Sequence, residues 1–160
     1  MTAALTIVAE TDAGRIASFL RQRRGSAPLY AEGKVYAPDA VEAVRGRDKQ
    51  ELTKVFATFI VEGDTCRLLS LDSLDTREGA GTALVAHLLF EARKRGCARL
   101  RAVIGNDATE ALRFLQKRGG RIVALTPGSL DEARQRHPDI PLTGRDGLPM
   151  RDEIALEWSL

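Results

Sequence analysis

Cysteines, aromatic residues and long apolar runs are scarce in this sequence, and each shortage excludes a class of protein. The two cysteines, Cys66 and Cys97, show no Cys-x-x-Cys or Cys/His spacing, so we expect neither a disulfide framework nor a metal site. No apolar run approaches membrane-spanning length, and residues 1–10 lack the basic start of a signal peptide. We therefore expect a cytoplasmic protein with reduced thiols.

An excess of charge of one sign is also missing. The 160 residues include 24 Lys and Arg against 22 Asp and Glu, a net charge of +2, so nucleic acid or a membrane surface meets no dominant basic field. A hydrophobic content of 44% is enough to form a buried core at this length. We expect one domain over residues 1–160, made of an N-terminal strand, helix and meander (1–64), a central core (65–125), and a long loop with a closing strand (126–160).

Hydrophobic periodicity predicts strands alternating with helices. The clearest helix is predicted over residues 82–94, ended by Gly96, and the alternation at 98–104 predicts a strand directly after it. A strand, helix and strand in succession imply a right-handed parallel crossover. Segment 26–39 favours a loop with a short extended piece. Further strands are predicted at 5–8, 41–44, 55–61, 66–74, 121–125 and 153–158, and helices at 12–24, at 107–118 with Asp107 and Glu110 as a capping box, and at 129–135.

Two glycines mark the corner where the strand at 66–74 gives way to the helix. Gly79 and Gly81 carry no Cβ, so ligand oxygens can approach the backbone closely. The free N–H groups of the first helical turn point toward whatever lies there, at the positive end of the helix dipole. This corner suits a phosphate group, although glycines also mark plain tight turns.

Three phosphate-binding patterns compete for this corner. A P-loop requires Gly-Lys-Ser/Thr, and Gly81 is followed directly by Thr82. A dinucleotide fingerprint requires a third glycine where Leu84 stands, and an acid about 20 residues further on, where residues 99–101 include two arginines. The third pattern, Thr76-x-x-Gly79-x-Gly81, resembles the Gln/Arg-x-x-Gly-x-Gly/Ala turn of the GNAT superfamily of N-acetyltransferases, which binds the pyrophosphate of acetyl-CoA. Thr76 departs from that pattern, although Arg77 beside it can supply the positive charge.

A second stretch strengthens the resemblance. Residues 103–120 are similar to the acetyltransferase segment Asn-x-x-Ala-x-x-Phe-Tyr-x-x-x-Gly-Phe, and together the two motifs span residues 69–123 with the spacing of the superfamily. The departures are Leu115 where the superfamily often has Tyr, and Gly120 where it has Phe.

The resemblance implies a fold, a cosubstrate and a set of site residues. The fold is a mixed α/β (α+β) sheet, splayed between two parallel strands, with helices on both faces. The cosubstrate is acetyl-CoA, bound within the central core, and no metal is implied. Asn106 has a second interpretation as a helix cap. The residues implied in cofactor binding are Leu69, Leu71, Ser73, Thr76, Arg77, Glu78, Gly79, Ala80, Gly81, Thr82, Asn106, Ala111 and Phe114.

The catalytic groups are less clearly marked. In many relatives the tyrosine of the second motif is the proposed general acid, a role that Leu115 cannot take, so the acid is another group or water. Asp72, at the end of the strand before the glycine corner, is the candidate general base, with a solvated turn acid as the alternative. Holding an amine and a thioester together supplies much of the rate of such a transfer without a special side chain.

The long segment after residue 125 is a candidate acceptor region. Residues 140–154 look like the tail of a little-characterised bacterial subgroup of these acetyltransferases, and in the superfamily this region shapes the acceptor pocket. The acceptor-site candidates are His137, Arg151, Asp152 and Glu153, for which salt bridges that anchor the loop are the alternative explanation.

The sequence thus predicts an N-acetyltransferase that moves an acetyl group from acetyl-CoA to a primary amine, by direct attack in a ternary complex. Thr76 and Leu115 leave open a catalytically silent acyl-CoA-binding or regulatory module, and the glycine corner leaves open another kind of nucleotide-binding protein. The acceptor, a small-molecule or peptide amine, is not specified by any motif. The sequence does not choose between a monomer and a homodimer.

Overall fold

The computed structural model describes residues 4–25, 28–74 and 79–160, which form nine strands and four α-helices. The strands are β1 (Thr6–Glu10), β2 (Leu29–Ala31), β3 (Lys34–Tyr36), β4 (Glu42–Arg47), β5 (Thr53–Glu62), β6 (Thr65–Ser73), β7 (Arg99–Gly105), β8 (Arg121–Thr126) and β9 (Glu153–Ser159). The helices are α1 (Ala13–Arg24), α2 (Ala80–Lys94), α3 (Thr109–Lys117) and α4 (Ser129–Arg136), with 3-10 turns at Pro38–Ala40 and Arg145–Gly147.

Seven strands make one mixed sheet in the order β1-β4-β5-β6-β7-β9-β8. The pair β6 and β7 is parallel and is joined through α2, as the predicted crossover requires, while the other neighbours are antiparallel. The predicted mixed sheet with helices is therefore confirmed.

The two faces of this sheet bury separate hydrophobic clusters. On one face α2 packs Leu84, Val85 and Leu88 against the strands, and Leu115 of α3 joins the same cluster. On the other face α1 packs Ile16 and Leu20 together with the β2–β3 hairpin. Because side chains alternate along a strand, odd-numbered residues of β7 and β9 lie on the α1 face and even-numbered residues lie on the α2 face. We use the names α1 face and α2 face below.

The sequence predicts a loop with one short extended piece for segment 26–39, and the structure has a two-stranded hairpin there, β2–β3. Its two-residue turn, Glu32-Gly33, has positive φ at both positions, 49° and 78°, which is the backbone that a tight two-residue hairpin turn requires. The usual sequence signal for such a turn is Asn-Gly or Asp-Gly, and Glu32 does not provide it.

Several boundaries also shift. The predicted strand at 41–44 is β4, which extends to Arg47 because its partner β5 continues the ladder. Helix α2 begins at Ala80, two residues earlier than predicted. The prediction that Asp107 and Glu110 form a capping box was wrong. Ala108 is the N-cap of α3, and the Asp107 carboxylate instead accepts a hydrogen bond from the Arg145 N–H.

None of the helices within the described residues is long and apolar enough to cross a membrane. The same residues contain no group of three His, Cys, Asp or Glu side chains placed to hold a metal ion.

Candidate functional site

The sheet is split between its two parallel strands. Pairing between β6 and β7 runs from Thr65 opposite Arg99 to Leu68 opposite Ala102 and ends there. Both strands continue, β6 for five more residues to Ser73 and β7 for three more to Gly105. The register of β6 against β5 slips at the same level, where Leu69 has no Cα partner. A bulge on one side and a lost partner on the other open a gap that an extended ligand can enter.

Apolar side chains border this gap on both faces. Leu71 and Ile104 pack with the core of the α2 face, and Leu69 and Val103 pack with the core of the α1 face. Leu69, Leu71 and Ser73, all implied by the resemblance, therefore lie together along the β6 edge of the gap.

The glycine corner lies at the start of α2. Gly79 is its N-cap, with a left-handed φ of 71°, and no side chain of the described residues caps the helix. The first helical N–H groups, those of Ala80, Gly81 and Thr82, therefore have no capping side chain that competes with a ligand. The implied residues Thr76, Arg77 and Glu78 lie outside the described residues.

An arginine that the motifs do not single out lies beside this helix start. The Arg118 Nε donates a 2.8 Å hydrogen bond to the Thr82 hydroxyl, and its guanidinium carbon is 4.7 Å from the centre of the Phe114 ring. The Phe114 ring in turn covers Gly81, where an added Cβ would lie 3.1 Å from the ring. Ala111 lies one turn before Phe114 on the same helix, α3. The four-residue spacing from Phe114 to Arg118 is the only sequence signal for this pair.

The candidate base Asp72 is not a solvated turn acid. Its side chain is 10% exposed and forms an ion pair with Arg24 at 3.4 Å. Arg24 belongs to the basic last turn of α1, so the helix end meets the β6 edge of the gap on the α1 face. Asp72 therefore has a cationic partner within the fold.

Leu115 is part of the core and not of the gap. It is 3% exposed and packs in the cluster of the α2 face. The second departure from the motif is accounted for by packing, because an added Cβ on Gly120 would lie 2.8 Å from a ring carbon of Trp158. The Trp158 ring therefore occupies the space that a larger residue at position 120 would need.

Asn106 holds the long loop to the end of β7. Its side-chain oxygen accepts hydrogen bonds from the Arg151 and Asp152 N–H groups, at 2.9 and 3.1 Å, and its amide nitrogen donates to the Pro149 carbonyl at 2.8 Å. It is not the N-cap of α3. These bonds occupy the side-chain oxygen and one of the two amide hydrogens, and the predicted contact with a cofactor stays a prediction.

The four acceptor-site candidates lie in different surroundings. The Asp152 carboxylate accepts from the Gly128 N–H at 2.8 Å and so anchors the loop before α4. His137 ends α4, with its ring 4.7 Å from that of Tyr30, and Arg151 is exposed. Glu153 is 6% exposed and stands opposite Gly105 at the start of β9. His137 and Glu153 line one cavity, and the other two do not.

Comparison with known proteins places the chain among acetyltransferases. The protein-family model described as the acetyltransferase (GNAT) family matches residues 76–120, which include the glycine corner and α3. The uncharacterised protein YxbD of Bacillus subtilis is 30% identical over 141 residues, which cover 88% of this chain and 89% of that protein. The uncharacterised protein YdhI of the same organism is 36% identical over 97 residues, 61% of each chain.

Solved structures share the fold at low identity. A Bacillus subtilis acetyltransferase in complex with CoA aligns with a TM-score of 0.72 at 16% identity, over 98% of this chain and 99% of that one. A GNAT family acetyltransferase from Elizabethkingia anophelis with acetyl-CoA bound gives the same TM-score at 15% identity, over 98% of both chains. From its motifs, its split sheet and these relatives, the chain belongs to the GNAT acetyltransferase family.

Proposed function

We propose that this protein is an N-acetyltransferase that moves the acetyl group of acetyl-CoA to a primary amine while both substrates are bound. The observation that carries the proposal is the end of β6–β7 pairing at Leu68 and Ala102, together with a helix start that has Gly79 as N-cap and no capping side chain among the described residues. This pair of features offers a slot for the pantetheine arm and an anion site for the diphosphate.

The diphosphate binds at the N-terminus of α2. Backbone N–H groups of residues 80–82 donate to its oxygens, and the helix dipole favours its negative charge. Arg118, held against Thr82, adds a full positive charge at the same place. The pantetheine arm then lies along the unpaired edge of β6, between Leu69 and Ser73, with the thioester between the diverging strands.

In the transfer step the neutral amine attacks the thioester carbonyl carbon. The C–S bond breaks, the amide forms, and the proton released from nitrogen neutralises the CoA thiolate through water. Leu115 cannot serve as the acid, since it has no ionisable group and is buried in the core. Proximity and a backbone N–H that polarises the carbonyl supply the rate enhancement.

A catalytically silent acyl-CoA-binding module is the second candidate, favoured by Leu115. The two proposals agree on CoA binding and differ only in turnover. A nucleotide-binding protein would instead prefer NADP or ATP to CoA.

Two measurements test the proposal: calorimetry of CoA binding, and release of the CoA thiol from acetyl-CoA in the presence of each amine of a panel of primary amines. The calorimetry is repeated on one matched pair of variants. Gly79 and Gly128 are both left-handed N-cap glycines, with φ of 71° and 72°, at the starts of α2 and α4. Gly79→Ala strains the corner that holds the diphosphate, so we expect CoA affinity to fall about tenfold, or roughly 1.4 kcal/mol. Gly128→Ala introduces the same strain elsewhere and should leave CoA affinity unchanged.

Three outcomes separate the candidates. Thiol release that depends on an added amine supports the acetyltransferase. CoA binding without release from any amine supports the silent module. No binding of CoA at millimolar concentration, or tighter binding of NADP or ATP, contradicts both.

A further inference from the structure

A cavity of about 330 Å³ lies on the α1 face beside the end of β7. The β2–β3 hairpin forms one wall, α4 forms another, and the first residue of β9 closes the floor. Six of its lining residues are Tyr30, Glu32, Leu130, Ala133, His137 and Glu153. Its volume is at the lower end of the range for small-molecule sites, which suits a ligand with few heavy atoms.

The cavity lies beside β9, which pairs with the edge of β7 opposite to the gap that the proposed thioester occupies. Glu153, in its floor, is the cross-strand partner of Gly105, the last residue of β7. Leu130, in its wall, reaches to within 3.6 Å of where a Cβ on Gly105 would stand. Glu153 is thus about one strand spacing, roughly 4.8 Å, from β7, whose other edge borders the gap. It lies on the α1 face, opposite the face on which α2 packs.

The charge of Glu153 is not balanced within the described residues. Its carboxylate accepts a 3.2 Å hydrogen bond from the Glu32 N–H, but no Lys, Arg or His of the part described forms an ion pair with it. Other acids on this face form ion pairs, among them Asp72 with Arg24, Glu32 with Arg67 and Arg101, and Glu157 with Arg101. A carboxylate that is 6% exposed and unpaired is costly, and a cationic ligand in the cavity would remove that cost.

We propose that this cavity is the acceptor pocket, and that Glu153 binds the ammonium group of a compact primary amine about the size of one amino acid. This rests on the proposed acetyltransferase function. Glu153 takes one proton from the ammonium group and leaves the neutral amine, which attacks the thioester. The second proton goes to the CoA thiolate, and Glu153 returns its own to solvent. Tyr30 links two walls of the pocket, because it belongs to β2 and its hydroxyl donates to Asp139, beyond the end of α4, at 3.4 Å.

Glu153→Gln is the first test, since glutamine keeps the acceptor oxygen for the Glu32 N–H and loses only the charge. The amines are glycinamide, putrescine and tyramine, and the measurement is kcat/KM for each amine between pH 7.5 and 9.5. We expect a loss of about 100-fold or more at pH 7.5, the lower limit for a missing general base. The loss should shrink toward pH 9.5, because more of the amine then loses its proton to solvent. The other titratable side chains of the cavity wall are Tyr30, Glu32, Lys34, Glu132, Arg136 and His137.

Glu51→Gln is the matched control. It removes the same charge from an exposed carboxylate in the β4–β5 turn, and kcat/KM should stay within about twofold. A second variant, Ala133→Phe, fills the cavity from α4 and should raise KM for all three amines without changing KM for acetyl-CoA. A hexapeptide with a free N-terminus should react at least tenfold more slowly than the best small amine.

Calorimetry of tyramine and putrescine with CoA-saturated protein tests the pocket without turnover. The proposal is supported if the wild type binds these amines and the Glu153→Gln variant does not. The proposal is overturned by no binding to the wild type, by activity of Glu153→Gln within twofold of the wild type, by a loss that is equal at every pH, or by preference for the hexapeptide. Failure of the acetyltransferase function itself would appear instead as no CoA binding, or as CoA binding by the wild type without thiol release from any amine.

Discussion

Gly120 shows how one missing methyl group fixes the packing of a large ring. A Cβ at this position would stand 2.8 and 2.9 Å from two carbons of the Trp158 six-membered ring, and 3.0 Å from the Leu115 carbonyl oxygen. The ring cannot move away easily, because its Nε1 donates a 2.9 Å hydrogen bond to the Arg118 carbonyl. Trp158 thereby supports the end of α3, from which Arg118 reaches the start of α2.

Gly120→Ala should therefore destabilise the protein by about 1–3 kcal/mol, the usual cost of overpacking a core. Urea denaturation measures this cost. The control is Gly120→Ala made in the Trp158→Phe variant. Phenylalanine lacks the outer ring of tryptophan, so the loss of stability caused by Gly120→Ala should be clearly smaller in that variant. Equal costs in both backgrounds would contradict the steric explanation.

At the scale of elements, α4 organises the long segment between β8 and β9. Arg134, on this helix, has a side chain only 13% exposed. Its guanidinium donates to the Ile140 carbonyl at 3.0 Å and to the Pro141 and Met150 carbonyls at 2.7 Å each. One side chain thus joins both ends of the loop to the helix that walls the cavity.

Arg134→Lys should lower stability by about 1.5–3 kcal/mol, because an ammonium group cannot match three carbonyls at the fixed angles of a guanidinium. Hydrogen exchange gives a local check: the Met150 N–H, bonded to the Leu142 carbonyl at 2.9 Å, should exchange faster. Arg136→Lys changes an exposed arginine of the same helix and should leave both measurements unaltered. Similar effects from the two substitutions would rule out this role for Arg134.

At the scale of the whole molecule, two groups of side chains set opposite limits on pH stability. Burial acts to raise the pKa of Glu32, but hydrogen bonds from Arg101 and Arg67 outweigh it, and the net pKa is below the ordinary 4.5. The pKa of Glu62 is also lowered, because hydrogen bonds from Tyr36 and Lys34 outweigh its burial. At the other end, burial, with a smaller effect of Cys97, raises the pKa of Cys66 from 9.0 to about 12.

The free energy of unfolding should therefore be greatest at intermediate pH. A lowered carboxyl pKa stabilises the fold above pH 4.5, and this contribution is lost as the pH falls through the lowered value. A raised thiol pKa stabilises the fold below pH 9, and this contribution is lost as the pH rises toward 12. Denaturation at a series of pH values checks both limits.

Two variants identify the groups responsible. Glu32→Gln should make the free energy of unfolding less dependent on pH in the acid range. Cys66→Ala should lower stability overall and make it less dependent on pH in the alkaline range. If each variant instead shifts the whole profile without a change of slope, other groups control the pH dependence.

Much of the fold follows from local pattern. The apolar stripe of α2, the alternation of β7 and the glycines that end helices are short-range signals, and the structure confirms the split mixed sheet that they and the family motifs predict. The β2–β3 hairpin escaped prediction because Glu32 adopts a left-handed φ without the usual turn residues. The capping box failed because Arg145, 38 residues away, competes for the Asp107 carboxylate.

The sequence by itself determined the order of elements and the glycine corner, because backbone conformation and hydrophobic spacing act over a few residues. Only the tertiary structure decided which acids are neutralised, since Arg24 reaches Asp72 from 48 positions away, whereas Glu153 meets a backbone N–H 121 positions away and no cation within the part described. Charge balance in a folded chain depends on distances through space, and no local pattern encodes them.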